Sequence, residues 1–202
     1  GVALVNRRLA VIDTSSEGHQ PMGGSADRYM ITYNGEIYNF RELRLELEAA
    51  GRKFRGGSDT EVLLAAVEAW GVQSACRRFN GMFAFALWDR QDRLLHLARD
   101  RSGKKPLYYG RMGSTFLFGS ELKCLRVHPD FKPEIDRDAL TLYMRHNYVP
   151  GPLSIYRGIS KLPPGTVLTL RFDAVDSGSP VPYWSAAAAV AASLADPFLD
   201  GP

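Results

Sequence analysis

Apolar positions along the chain fall at two spacings, and the change from one to the other divides it into strand-like and helix-like stretches. Residues 2–12 are largely apolar, broken by Asn6-Arg7-Arg8, and predict a strand; Ser, Gly and Pro then punctuate a loop over 13–24. Residues 29–33 (YMITY) form a short β-rich run that meets Asn34-Gly35, a pair that readily takes positive φ, so the pattern predicts a tight corner there. Asn39 with Glu42 reads as an N-cap with a capping-box partner, and Phe40, Leu43, Leu47 and Ala50 keep helical spacing up to Gly51. Ser58 and Glu61 repeat the box more strongly. Val62, Leu63, Ala66, Val67 and Trp70 follow on one face before Gly71, so a second helix begins at Asp59.

Residues 82–88 (MFAFALW) are apolar almost throughout, which suits a strand buried on both faces, and a polar turn leads into 94–98 as a hairpin. A second hairpin is expected from 107–109 and 115–118 across 110–114, then a short helix over 121–126. Asp136 caps a helical pattern carried by Leu140, Tyr143 and Met144; residues 148–164 form a connector bearing Pro and Gly; 166–172 is one more strand. Beyond 172 small and turn residues take over, and 185–193 is nearly all Ala, which favours helix but has too little bulk to build a core. The expected organisation is therefore a domain over 1–172 and, over 173–202, a linker or the start of another unit. Strands, helices and strands again in this order indicate an α+β class.

At 202 residues the chain is long enough for one well-packed core. Its formal charge of +3 is too small to imply a nucleic-acid partner. Cys76 and Cys124 lie far apart without metal-ligand spacing, so neither a disulfide nor a metal site is expected and both read as small buried side chains. No apolar run approaches the ~18–20 residues that span a bilayer, and no signal-peptide order is present, so a soluble cytoplasmic protein with no membrane partner is expected. The chain opens without Met on residues that already read as strand, so the natural start is expected upstream.

Candidate chemistry gathers at Asn34-Gly35-Glu36. A side-chain amide and the backbone N–H of a residue with no side chain to block approach would hold a developing oxyanion, although an ordinary hairpin turn satisfies the same pattern. Arg8 interrupts an apolar stretch and could grip a carboxylate through two parallel N–H bonds; a solvated strand face explains it as well. Asp59 stands in the first turn of its helix, where the dipole favours negative charge, and could equally pair with an ammonium group. The basic stretch 99–105 lacks interleaved aromatics and the glycine frame of a phosphate loop, and reads as a structural turn. His19, His96, His128 and His146 show no metal or triad spacing.

In order along the chain stand RLAVID (8–13), GHQPM (18–22), NGEIYN (34–39), GSDTE (57–61), GMFAFA (81–86), Arg99-Asp100 with Gly103 and PLYY (106–109), SELK (120–123) and KLPPG (161–165). Together these resemble the glutamine amidotransferase domain of glutamine-hydrolysing asparagine synthetases, a class II, N-terminal-nucleophile family, over about residues 4–184. The resemblance implies a four-layer αββα sandwich with glutamine bound between a sheet end and its loops. It implies that Arg8 holds the glutamine α-carboxylate, that Asp59 with the backbone near Gly35 and Glu36 holds the α-ammonium, and that Asn34 and Gly35 form the oxyanion hole.

The family's nucleophile is an N-terminal Cys whose own amine serves as base. Gly1 does not match it and neither Cys76 nor Cys124 can replace it, so the chain alone is expected to be inactive, with the Cys upstream. The resemblance further implies a synthetase domain in cis that uses ATP and Mg²⁺ to activate aspartate, and no cofactor in this part. It leaves a homodimer open, and it expects an apolar interface near 148–165 and Tyr183-Trp184. The alternative is a non-catalytic member of the fold that binds an amino acid or a partner protein.

Overall fold

A computed structural model describes residues 1–7, 12–13, 15–24, 27–172 and 178–196. A six-stranded antiparallel sheet is built from β1 (Met22–Gly23), β2 (Tyr29–Ile37), β3 (Gly81–Asp89), β4 (Leu94–Arg99), β8 (Thr166–Arg171) and β9 (Val181–Pro182), in that spatial order. A second sheet has the order β6 (Thr115–Gly119), β5 (Tyr108–Met112), β7 (Ile159–Lys161). The helices are α1 (Phe40–Ala49), α2 (Asp59–Trp70), α3 (Val72–Arg78), α4 (Leu122–Arg126), α5 (Arg137–His146) and α6 (Ala186–Ala195).

The near-continuous apolar run of β3 explains the layering. Successive strand side chains point to opposite faces. Phe83, Phe85 and Leu87 therefore join Ile31, Tyr33 and Ile37 of β2 against Leu43, Leu47, Val62, Leu63 and Val67 of α1 and α2. Ala84 and Ala86 face the other way, into a second core with Leu95, Leu97, Leu107, Leu162, Leu168 and Leu170 between the two sheets. A third core, Met112, Leu125, Phe131 and Ile159, covers the far side of the small sheet with α4 and the segment after it. The result is the four-layer αββα sandwich expected from the resemblance.

Several expectations need correction. Residues 1–7 have no regular secondary structure and 8–11 lie outside the described residues, so the described part of 2–12 is not a strand. Asn34-Gly35 is not a corner: β2 runs straight through it, with Asn34 opposite Ala84 and Gly35 opposite Phe83. Asn39 does not cap α1 through its side chain, which instead donates to Arg78 O at 3.0 Å and accepts from Asn80 N–H at 2.9 Å. Ser58 does cap α2, accepting from Thr60 N–H, but Glu61 reaches past it to the N–H groups of Arg55 and Gly56. Helix α3 was not expected, nor was β7 inside the Pro- and Gly-bearing connector. Cys76 is buried as anticipated, and burial pushes its thiol up; Cys124 is exposed.

After residue 172, Val181–Pro182 pairs with β8, and Tyr183 is buried, its hydroxyl donating to Arg99 O. The Ala-rich stretch is helical, as α6, and buries nothing. Leu140, Tyr143 and Met144 of α5 and the following Tyr148 are exposed, whereas Ile159 and Leu162, within the stretch expected at an interface, and Tyr183 are buried. Among the described residues no helix is long and apolar enough to cross a membrane.

The basic stretch 99–105 is a structural knot. Asp100 is fully buried, and its carboxylate accepts from the N–H groups of Phe83, Ser102, Lys104 and Lys105 at 2.9–3.1 Å. Arg99 donates to the carbonyls of Gly103, Lys105 and Leu162, which ties this turn to the LPPG segment. Gly165 N–H completes the tie at Asp100 O, 2.9 Å. Replacing Asp100 by Ala strands several buried donors at once. The Asp100→Ala protein is expected to lose about 3–5 kcal/mol in equilibrium urea unfolding; a loss below about 1 kcal/mol would remove the knot from this account.

Candidate functional site

The site grows from the pairing of β2 with β3. In an antiparallel ladder each residue's N–H and C=O point to one edge, and the direction alternates along the strand. Tyr33 N–H leaves away from β3, to Gln20 Oε1 at 2.7 Å, and Ile37 N–H leaves on the same side, to Asp59 Oδ2 at 3.0 Å. Alternation puts the Gly35 N–H on that edge too, midway between them. From the other strand, Phe83 N–H and C=O both turn away from β2, to Asp100. Gly35 and Phe83 thus form a non-hydrogen-bonded pair, the class in which the two backbones approach most closely.

That approach is why residue 35 is glycine. A Cβ there would stand 2.2 Å from Met82 O and 2.7 Å from Phe83 Cα. The φ angle is not the reason, since Gly35 is not among the residues with positive φ.

β1 pairs with β2 only at Ile31 and Met30. Beyond that point side chains take over the edge. Gln20 is buried and accepts from Tyr33 N–H; Asn6 Nδ2 donates to Gln20 Oε1, Thr32 Oγ1 and Tyr33 O at 3.0–3.3 Å; Gln20 Nε2 donates to Thr60 Oγ1. Asp59, in the first turn of α2, is 5% exposed and accepts from the Tyr33 hydroxyl at 2.8 Å on the same oxygen that takes Ile37 N–H. Burial, with the Asp59 carboxylate beside it, pushes the Tyr33 phenol above its ordinary range, so it stays a donor.

Asn34 is exposed on the opposite face from Tyr33, and its amide reaches Ser120 Oγ in a long contact of 3.4 Å. Glu36 is half-buried and, two residues on, shares the Asn34 face. Asn34, Gly35 and Glu36 therefore lie along the C-terminal half of β2, the side chains of Asn34 and Glu36 on one face, while Asp59 meets its edge at Ile37 and the Tyr33 hydroxyl. Arg8 lies outside the described residues. Sequence reasoning missed Tyr33, Gln20 and Asn6 as parts of this edge; the GHQPM segment carried Gln20, but nothing local signals a partner 13 residues away. Ser120 stood in a quoted motif without a role.

Two clefts lie elsewhere. One of about 370 Å³ is lined by Val2, Leu4, Pro21, Met30, Trp88 and Arg90; the other, of about 250 Å³, includes Arg52, Lys53, Glu61 and Glu68. Neither is lined by Asn34, Gly35 or Asp59. Among the described residues no group of three His, Cys, Asp or Glu side chains is placed to hold a metal ion.

The close pair makes a paired prediction. Gly35→Ala must push β2 from β3, whereas a Cβ on Gly57 meets nothing within 4 Å. Gly35→Ala is expected to cost about 3 kcal/mol and Gly57→Ala about 0.5 kcal/mol or less, read by thermal and urea unfolding; equal costs would contradict the close approach.

Comparison with known proteins matches the chain to a family. The family model described as a glutamine amidotransferase domain matches residues 1–184. The chain is 44% identical over 188 residues to asparagine synthetase [glutamine-hydrolyzing] 3 of Bacillus subtilis (strain 168), covering 91% of this chain and 30% of that protein. It is also 44% identical over 167 residues to asparagine synthetase [glutamine-hydrolyzing] 1 of the same organism, covering 83% of this chain and 26% of that one. The chain thus spans less than a third of the length of these relatives. A solved glutamine phosphoribosylpyrophosphate amidotransferase of B. subtilis shares the fold at a TM-score of 0.60 and 20% identity, over 89% of this chain and 34% of that one. With a family match that runs from its first residue through Trp184 and an αββα core of the kind its motifs implied, the chain belongs to the glutamine amidotransferase domain family.

Proposed function

We propose that this chain is the glutamine-hydrolysing half of an asparagine-synthetase-like enzyme, supplying ammonia for ATP-dependent amidation of aspartate in a synthetase domain outside these 202 residues. The observation that carries the reading is the edge of β2, where the Gly35 N–H stands between two amides already taken by side chains, with the Asp59 carboxylate alongside. A backbone donor so placed suits an oxygen that becomes negative, because it needs no reorganisation as charge develops.

In this reading the Asn34 amide and the Gly35 N–H receive the oxyanion formed when a thiolate attacks the glutamine side-chain carbonyl. The C–N bond then breaks, ammonia leaves with the proton it has taken up, and water cleaves the thioester to glutamate. Arg8 receives the α-carboxylate, and Asp59, with the backbone at Gly35 and Glu36, receives the α-ammonium. The thiolate is assigned to neither cysteine of this chain: Cys76 is sealed in the core with its thiol pushed up by burial, and Cys124 belongs to α4. ATP and Mg²⁺ act in the synthetase domain, and no step here passes through them.

The test uses the protein made from the complete reading frame that encodes this chain. Asn34→Ala is expected to lower kcat for ammonia release from glutamine by about 10²–10³, the cost of one oxyanion donor. Arg8→Ala is expected to act mainly on KM, since a carboxylate contact is made in the ground state as well. A parent protein that binds glutamine without releasing ammonia would favour the non-catalytic alternative, and an Asn34→Ala protein with unchanged kcat would reject the oxyanion role.

A further inference from the structure

Tyr33 is tied at three points. Its N–H goes to Gln20, its carbonyl accepts from Asn6, and its hydroxyl donates to Asp59 Oδ2 at 2.8 Å. The ring is buried in the helix-side core, in register with Phe85 across the ladder.

Asp59 has a different problem. It sits at the first position of α2, and among the described residues its two hydrogen bonds both fall on Oδ2. One comes from the backbone of β2 and one from the Tyr33 phenol. Two donors on one oxygen fix the plane and direction of the carboxylate, so that among the described residues Oδ1 is left for something else. One donor alone would leave the group free to swing about the Ile37 N–H contact.

We infer that Tyr33 is a positioning residue: by holding Asp59 Oδ2 it aims Oδ1 at the ammonium group of an amino-acid ligand. The inference rests on the glutamine reading above and deepens it, because it locates the preference for an α-amino acid over the same amide without the amine in a residue that touches neither. The phenol is suited to the task, since burial keeps it protonated and a donor throughout the working pH range. Its loss should weaken only interactions that pass through Asp59, which act in ground-state binding and leave the oxyanion donors of Asn34 and Gly35 alone.

Tyr33→Phe removes the one hydroxyl and keeps the ring. The experiment measures ammonia release by the protein from the complete reading frame with two substrates, glutamine and 4-carbamoylbutanoate, which carries the same amide and carboxylate but no ammonium. Tyr33→Phe is expected to raise KM for glutamine by about three- to tenfold, the weakening of one charge-assisted contact, with kcat changed by less than about twofold and the kinetics on 4-carbamoylbutanoate unaltered. In an Asp59→Asn background the same substitution should add nothing to the preference for glutamine. An unchanged KM for glutamine, or equal losses on both amides as from a general loosening of the core, would overturn the inference. A parent protein that treats the two amides alike would reject the ammonium role of Asp59 and the inference with it, whereas one that releases ammonia from neither would overturn the glutamine reading itself, a result separate from any effect of Tyr33.

Discussion

The close approach of Gly35 to Phe83 is the contact on which the site depends. Because this pair exchanges no hydrogen bonds, the polar groups of Gly35 face the free edge of β2 while those of Phe83 face Asp100. A strand edge in a folded protein is a row of unmet donors and acceptors. Here it is closed by side chains at Tyr33 and Ile37, through Gln20 and Asp59, and among the described residues the N–H between them is left facing outward. Packing explains the glycine, and the same packing explains where its N–H points.

The turn at 99–105 supports that geometry from behind. Asp100 takes the Phe83 N–H that β2 does not use, and Arg99 ties the turn to Leu162, close to the segment that leads into β8. The basic stretch, which the sequence already indicates is a structural turn, and the Pro-Pro-Gly segment are thus the two halves of one fastening. Gly103 and Gly165 serve it through positive φ, which other residues would adopt only with strain.

How much of this was legible in the sequence follows from how local each cause is. Helix α2 could be read almost to the residue, because Ser58 and Gly71 mark its ends within the chain segment itself. The β3–β4 hairpin was legible for the same reason. Asn34-Gly35 was misread as a turn because the local rule for that pair is correct for most pairs, while the contact that decided the matter comes from Met82 and Phe83, nearly fifty residues away. Asn39 and Glu61 each carried a capping pattern and spent part or all of it elsewhere, on 78–80 and on 55–56. Strand β7 was hidden by the Pro and Gly around it, since it forms only by pairing with β5. Of the candidate residues, Asn34, Gly35, Glu36 and Asp59 were singled out by local pattern and given their proposed roles by motif resemblance. Gln20 and Tyr33 were not, because their roles exist only once the strand edge does.

Native-state hydrogen exchange on β2 tests this edge most directly, because it reads each amide separately. Tyr33 and Ile37 should exchange slowly, at rates near those of the ladder amides Asn34 and Glu36, while the Gly35 amide between them exchanges much faster and slows when glutamate is added. A Gly35 amide as protected as its neighbours without ligand would mean that the edge is closed there, and would contradict the account.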